Sequence, residues 1–353
     1  MSGQRAVGLD IGTSGVRAAQ LSVGKRGATL EGFGQVALPP GAVVAGEVVD
    51  PPAVSASIKQ LWSQARFSSK KVFAGVSNGK VIVRQVDLAY TPLPELKKSL
   101  PLQVQDVIPM PVEQAFLDAH PLEEISGDDG ARGLRVLLVA AGRDMIDGHV
   151  AAIQGAGLTP AGIDLNSFAL LRSLARPDEL GVGAAAEALV DVGASVTNIT
   201  VHQAGVARFV RILLMGGNDL TQAVAERMGV PLEQAEAAKQ EYGLALPPDA
   251  AGSPWATALE TEAGTWVDEV RGSLDYYLAQ PTSVRLRRVV ISGGGALLAG
   301  LAERLSATTM LSVEYGSVMS RMGIGRTGLS PEQLSYVDLL APVPVGLALG
   351  AAA

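Results

Sequence analysis

Val7-Gly8-Leu9-Asp10-Ile11-Gly12-Thr13-Ser14 and Ala188-Leu189-Val190-Asp191-Val192-Gly193-Ala194-Ser195 are two copies of one pattern. Each is an apolar run ending in Asp, followed by one apolar residue, a glycine, a small residue and a serine. Each continues with period-two alternation, over 16–23 and 196–202, which predicts a β-hairpin around each turn. The copies stand about half of the 353-residue chain apart, so two homologous lobes are expected. Gly12 and Gly193 lack a Cβ, so the backbone can turn tightly and approach a ligand closely. Successive N–H groups in such a turn make a concavity for phosphate oxygens. Thr13, Ser14, Ser195 and Thr197 add hydroxyl donors. Asp10 and Asp191 suit a hydrated Mg²⁺, which takes a few carboxylates plus waters and phosphate oxygens. The plain alternative is two ordinary hairpins with an Asp at each turn.

A third glycine site follows. Residues 288–292 read as a buried strand, Gly293-Gly294-Gly295 as a turn, and 297–305 as an amphipathic helix. Leu298 stands where a dinucleotide fingerprint needs its third glycine, and the chain has no P-loop motif. Once two phosphate loops are admitted, this turn becomes the candidate surface for a nucleotide's base and sugar. Gly216 and Gly217 precede a predicted helix over 218–228, and a second helix is predicted over 231–242. On the second, Glu236 and Lys239 share a face and, taken alone, are a surface ion pair worth a few tenths of a kcal/mol.

Composition narrows the class. Hydrophobic residues make up 48% and charged residues 18%, enough to build large cores. The net charge of −7 argues against a nucleic-acid surface, which needs a basic face. The one dense basic patch, Arg285, Arg287 and Arg288, reads as a solvated turn before a strand. Cysteine is absent, which excludes disulfides, thiolate zinc sites and cysteine nucleophiles and suits a reducing cytosol. His120, His149 and His202 are scattered and read as structural. Trp62, Trp255 and Trp266 read as packing residues. The start of the chain shows no signal peptide. The apolar stretch 339–353 is interrupted by Pro342 and Pro344 and is shorter than the ~20 residues of a membrane span. A cytoplasmic protein is expected.

The order of the sites, 10–17, 191–198 and 293–295, resembles the superfamily of actin, Hsp70, sugar kinases and FtsA. The resemblance implies an α/β, actin-like (ribonuclease H-like) duplicated two-lobe fold holding ATP and Mg²⁺ between the lobes. Arg17 stands where actin has a phosphate-contacting lysine, and Glu236 and Lys239 match the helix pair that flanks adenosine in Hsp70. Within this superfamily, residues 104–118 (VQDVIPMPVEQAFLD), 136–164, 271–277 and 344–350 resemble the PilM family of type IV pilus assembly proteins. Met110, Val107 and Gly272 depart from that family's usual residues, and an extra run occupies 125–132.

By this resemblance, 1–80 and 163–185 form domain 1A, 81–162 the FtsA/PilM-type insertion domain 1C, 186–219 and 264–353 domain 2A, and 220–263 domain 2B. A loop is expected over 246–255. The implied partner is the cytoplasmic tail of a PilN-like membrane protein, with the pilus motor ATPase as a further one, so membrane contact is indirect. The family's groove would lie at strand 81–88 and helix 96–107, with Leu100, Val104, Val107 and Ile108 supplying pockets or forming core. If ATP is hydrolysed, Asp191 is the expected water-orienting residue. An FtsA-like filament former and a small-molecule kinase of the same superfamily are the alternatives.

Overall fold

The computed structural model describes residues 4–25, 27–126, 132–176, 185–244 and 252–352. The first half contains β1 (Gln4–Ile11), β2 (Gly15–Gly24), β3 (Gly27–Ala37), β4 (Val43–Val44), β5 (Glu47–Val48), α1 (Pro51–Ala65), β6 (Lys71–Val76), β7 (Val81–Ala89), α2 (Leu93–Val104), β8 (Ala115–Ser126), β9 (Arg132–Gly142), α3 (Arg143–Gly155), β10 (Thr159–Leu165) and α4 (Asn166–Leu174). The second contains β11 (Ala186–Val192), β12 (Thr197–Gln203), β13 (Val206–Leu213), α5 (Gly217–Met228), α6 (Leu232–Tyr242), α7 (Pro254–Leu278), β14 (Leu286–Ser292), α8 (Leu301–Thr309), β15 (Ser312–Tyr315), β16 (Gly323–Ile324), α9 (Pro331–Leu340) and α10 (Pro342–Ala352).

The duplication is visible in the sheets. The first runs β16-β3-β2-β1-β6-β10 and the second β13-β12-β11-β14-β15; apart from the short β16, each has three antiparallel strands followed by two parallel ones. Both central strands are almost wholly buried, as strands covered on two faces must be.

Each lobe lends a helix to the other. The α4 helix, which follows the first sheet, packs on β12 and β11, while α10, from the chain's end, packs on β1, β2 and β6. The two helices also pack on each other, and their apolar residues form one cluster that includes Leu170, Leu189, Val290 and Leu347. Small residues permit the close approach. A Cβ on Gly8 would lie 2.0 Å from Pro344 O, and one on Gly346 would lie 1.9 Å from Ala169 O. Although 264–353 was expected in the second lobe, α10 and β16, which pairs with β3, are built into the first.

The insertion is also shorter than expected. The β7-β9-β8 sheet and α2 enclose a core of their own, but α3 packs on α1 and β10 pairs with β6. Residues 143–162 therefore belong to the first lobe, because their apolar faces are buried there, and the insertion spans 81–142. Within it, 127–131 lie outside the described residues, as do 246–251 of the expected loop at 246–255. Among the described residues no single helix is long and apolar enough to cross a membrane. The α9–α10 pair passes that test jointly but is bent by 76°. Residues Pro342 through Ala348 are buried in the lobe, and α10 is apolar all round because it is a core helix.

Candidate functional site

Both predicted hairpin turns form and open onto one cleft between the lobes. Gly12 N–H donates to Gly15 O at 3.0 Å, and Gly193 N–H donates to Val196 O at 2.9 Å, the same three-residue closure in each copy. The cleft is lined from the first lobe by Asp10, Gly12, Thr13, Ser14 and Arg17, and from the second by Asp191, Gly193, Asn198, Gly293 and Gly294. Strand register places Arg17 opposite Asp10 and Asn198 opposite Asp191.

The two carboxylates dominate the site. Asp10 is buried, and burial pushes its carboxyl up, against the opposing pull of the Arg17 guanidinium, 3.5 Å away, and of Asn166. Burial, with the nearby Asp10 charge adding to it, pushes Asp191 up to about 6, although the Ser292 hydroxyl donates to it at 2.8 Å and Arg17 opposes the shift. Two buried acids converging on one cleft resist double ionisation, and a cation between them relieves the repulsion. Two further polar atoms, Asn166 Oδ1 and Arg17 Nε, are buried without a protein partner. This donor set fits a hydrated Mg²⁺ with phosphate oxygens. Asn166 was missed in the sequence because an Asn between strand and helix is ordinary. The β10-β6-β1 strand order brings it to the cleft, since it follows β10 and lies against Gly75, the residue paired with Asp10.

The third glycine site divides its labour. Gly293 has φ +88°, and a Cβ there would lie 2.4 Å from Val192 O; on Gly295 it would lie 2.5 Å from Val192 Cγ1. These two glycines are required by packing against β11. A Cβ on Gly294 would meet nothing closer than Leu340 Cδ2 at 3.7 Å and Arg17 Nη2 at 3.8 Å. Gly293 and Gly294 both line the cleft, and of the three glycines Gly294 is the one whose Cα has open space in front of it. The segment after it, expected as a helix from 297, forms a 3₁₀ turn over Gly294–Leu297, and α8 begins only at Leu301.

Several expected site residues are engaged in contacts within the second lobe. Thr197 is fully buried; its hydroxyl donates to Met215 O at 2.8 Å and accepts from Trp266 Nε1 at 3.0 Å, so it serves the second lobe's core. The cause is strand alternation, which turns Thr197 to the face opposite Asn198. Ser195 accepts from Asn218 Nδ2 at 3.1 Å. Gly217 and Asn218 donate to Gly193 O and Ala194 O at 3.0 and 2.7 Å, and a Cβ on Gly216 would lie 2.4 Å from Gly193 O, so this pair of glycines braces the second turn from outside. Lys239 contacts Glu236 at 2.6 Å and donates to Gly217 O and Thr221 Oγ1, both at 2.9 Å. All three ammonium hydrogens thus have protein acceptors, and Lys239 fastens α6 to the start of α5. Burial raises the Glu236 carboxyl, but bonds from Lys239 and Thr221 outweigh it and hold it below its usual range.

The four partner-site candidates change role most. Leu100, Val104 and Ile108 are 1%, 0% and 6% exposed, so these three are the insertion's core and not a groove wall, while Val107 is half-buried against that core. Helical periodicity marked an apolar face but could not say that β7-β9-β8 covers it. The basic patch also differs from expectation. Arg288 is mostly buried, pairing with the fully buried Glu187, which in turn bonds His202 at 2.9 Å.

Two lobes of matching topology, each closing a glycine turn and an Asp onto a shared cleft, define the actin-like class of duplicated folds. MreB5 of Spiroplasma citri, solved with ADP, shares this fold with a TM-score of 0.54 at 13% identity, over 98% of this chain and 95% of that one. The family model for type IV pilus assembly protein PilM matches residues 8–352, and the chain belongs to that family. Its fold is similar to a solved PilM–PilN type IV pilus biogenesis complex, with a TM-score of 0.84 and 27% identity over 99% of this chain and 98% of that one. Cell division protein FtsA of Bacillus subtilis is 25% identical over 263 residues, which are 68% of this chain and 58% of that protein. This chain thus spans less than two thirds of that relative.

Proposed function

We propose that this protein is a nucleotide-holding scaffold of type IV pilus assembly, binding Mg-ATP between its lobes and a PilN-like cytoplasmic tail through its insertion. The observation that carries the nucleotide half is the convergence of Asp10 and Asp191 beside two glycine turns, Arg17 and Gly294. Asp10 and Asp191 hold the hydrated Mg²⁺, which neutralises phosphate charge when bound. The N–H groups of the turns and the hydroxyls of Thr13 and Ser14 take phosphate oxygens, Arg17 adds a cation, and Gly294 leaves room for the adenosine. Positioning and electrostatics are most of phosphoryl-transfer catalysis, so such a cleft can hold ATP for long periods. If the bond is cleaved, Asp191 orients the water.

The partner half is supported by family membership and by likeness to a PilM–PilN complex over nearly the whole of both chains. The pilus motor ATPase is a further partner by the same reasoning, and the membrane is reached through the tail. Calorimetry tests both halves. Mg-ATP should bind, EDTA should weaken it, and a PilN-like tail peptide should bind the same protein. Absence of heat with Mg-ATP refutes the nucleotide half, and absence of tail binding refutes the scaffold half.

A further inference from the structure

Ser77 follows β6, just before the insertion begins at Val81, and its hydroxyl donates to Asn198 Oδ1 across the lobes at 2.6 Å in a buried hydrogen bond. Both residues line the cleft. Asn198 lies opposite Asp191 on one side and Ile212 on the other, and Asp191 lies opposite Ser292. One row therefore crosses the second sheet: Ser292, Asp191, Asn198, Ile212. At its outer end, Ile212 packs against the same apolar cluster as Val83 and Val139 of the insertion, and β13 contacts β7. Beside that contact, Gln85 Nε2 donates to Arg208 O at 2.5 Å. The insertion is thus tied to the second lobe twice, through its root at Ser77 and through its sheet at β13.

The root is held in place. Gly46, at φ +78°, lies so close that a Cβ on it would be 1.9 Å from Ser77 O. Asn78 Nδ2 donates to Ala45 O, and Asn78 Oδ1 accepts from Lys80 N, both at 2.7 Å. A relative shift of the lobes cannot be absorbed by slack in this segment. It must break the Ser77–Asn198 bond, leaving a buried hydroxyl unsatisfied, or carry the insertion with it.

We propose that Ser77 and Asn198 form a cross-lobe latch that couples occupancy of the nucleotide cleft to the seating of the insertion on the second lobe. The inference rests on the nucleotide reading above. A ligand that draws Asp10 and Asp191 together favours the latched state and the insertion contacts that accompany it. Coupling of this kind is reciprocal, so a tail bound to the insertion changes nucleotide affinity by the same factor that nucleotide changes tail affinity.

Hydrogen–deuterium exchange on the full chain tests it, with nucleotide binding measured in parallel by calorimetry. Saturating Mg-ATP should slow exchange of amides 81–89 and 206–213 about five-fold or more, the low end of measured couplings. Ser77→Ala, at its own saturating concentration, should lose that protection, and Ser77→Thr, which keeps the hydroxyl, should retain it. Gln85→Leu, remote from the cleft, should lessen it as well and serves if Ser77→Ala does not fold. Unchanged protection in these variants overturns the latch. Bound nucleotide without any change at 81–89 in the wild type overturns the latch but spares the nucleotide reading, and no binding at all overturns both.

Discussion

Replacing Asp191 with Asn should stabilise the nucleotide-free protein and weaken its response to Mg-ATP. The folded carboxyl holds its proton up to about 6, against an ordinary value of 3.8, chiefly because it is buried and secondly because Asp10 is near. Folding therefore favours the protonated acid between those values, and stability falls as pH rises from 3.8 to about 6, then stays low. At 1.36 kcal/mol per pH unit, the ionised Asp191 costs about 3 kcal/mol above pH 6. Asn cannot ionise, and its Oδ1 can still accept from the Ser292 hydroxyl. The variant should gain up to ~3 kcal/mol over the wild type at pH 8, and little at pH 4, where the folded Asp191 is still protonated and pH has barely passed the unfolded value. Urea melts at the two pH values read this directly. The ligand response runs the other way. At 100 times Kd, wild type should gain about 2.7 kcal/mol from Mg-ATP, and the variant should lose most of that at the same concentration. A variant less stable than wild type at pH 8, or equally responsive to Mg-ATP, would refute the idea of two carboxylates held together for a cation.

Val104→Glu should unfold the insertion, costing several kcal/mol for an unpaired buried charge, whereas Leu102→Glu, at a position 76% exposed, should be nearly neutral; limited proteolysis of 81–142 separates them. Gly294→Val should leave the melting temperature close to wild type and abolish nucleotide binding, while Gly293→Ala, strained at φ +88° and clashing with Val192 O, should destabilise the second lobe by thermal melt. Thr197→Val should cost about 1–3 kcal/mol by stranding Met215 O and Trp266 Nε1, with a change in tryptophan fluorescence and little change in nucleotide affinity at saturation. Gly8→Ala should destabilise strongly in a urea melt, because its Cβ would strike Pro344 O and push α10 off β1.

The duplicated Asp-x-Gly turns were legible in the sequence because they are local. A strand end, a tight turn and a hairpin are written in adjacent residues, so 7–14 and 188–195 announced both lobes, and Asp10, Gly12, Asp191, Gly193 and Gly294 proved to share one cleft. The positions of α5 and α6 were legible for the same reason, since 3.6-residue periodicity and a leading glycine or proline are local signals. Burial by a distant element was not. Whether the apolar face of α2 was a groove or a core depended on a three-stranded sheet reaching over it, which no periodicity encodes. The same holds for Thr197, whose hydroxyl looked like a phosphate donor until strand alternation and Trp266 claimed it for the core. Asn166 and Ser77 carried no motif at all, and they became cleft residues because β10, β6 and β1 lie side by side in one sheet whose ends meet the second lobe; Asn198 lay within the second loop at 191–198, but its bond to Ser77 could not be read from it. The sequence alone determined the repeat and its chemistry, because those are properties of contiguous residues. Which groups face each other across the cleft was decided only by tertiary packing, because the contacts that decide it join residues more than a hundred positions apart, as Ser77 joins Asn198.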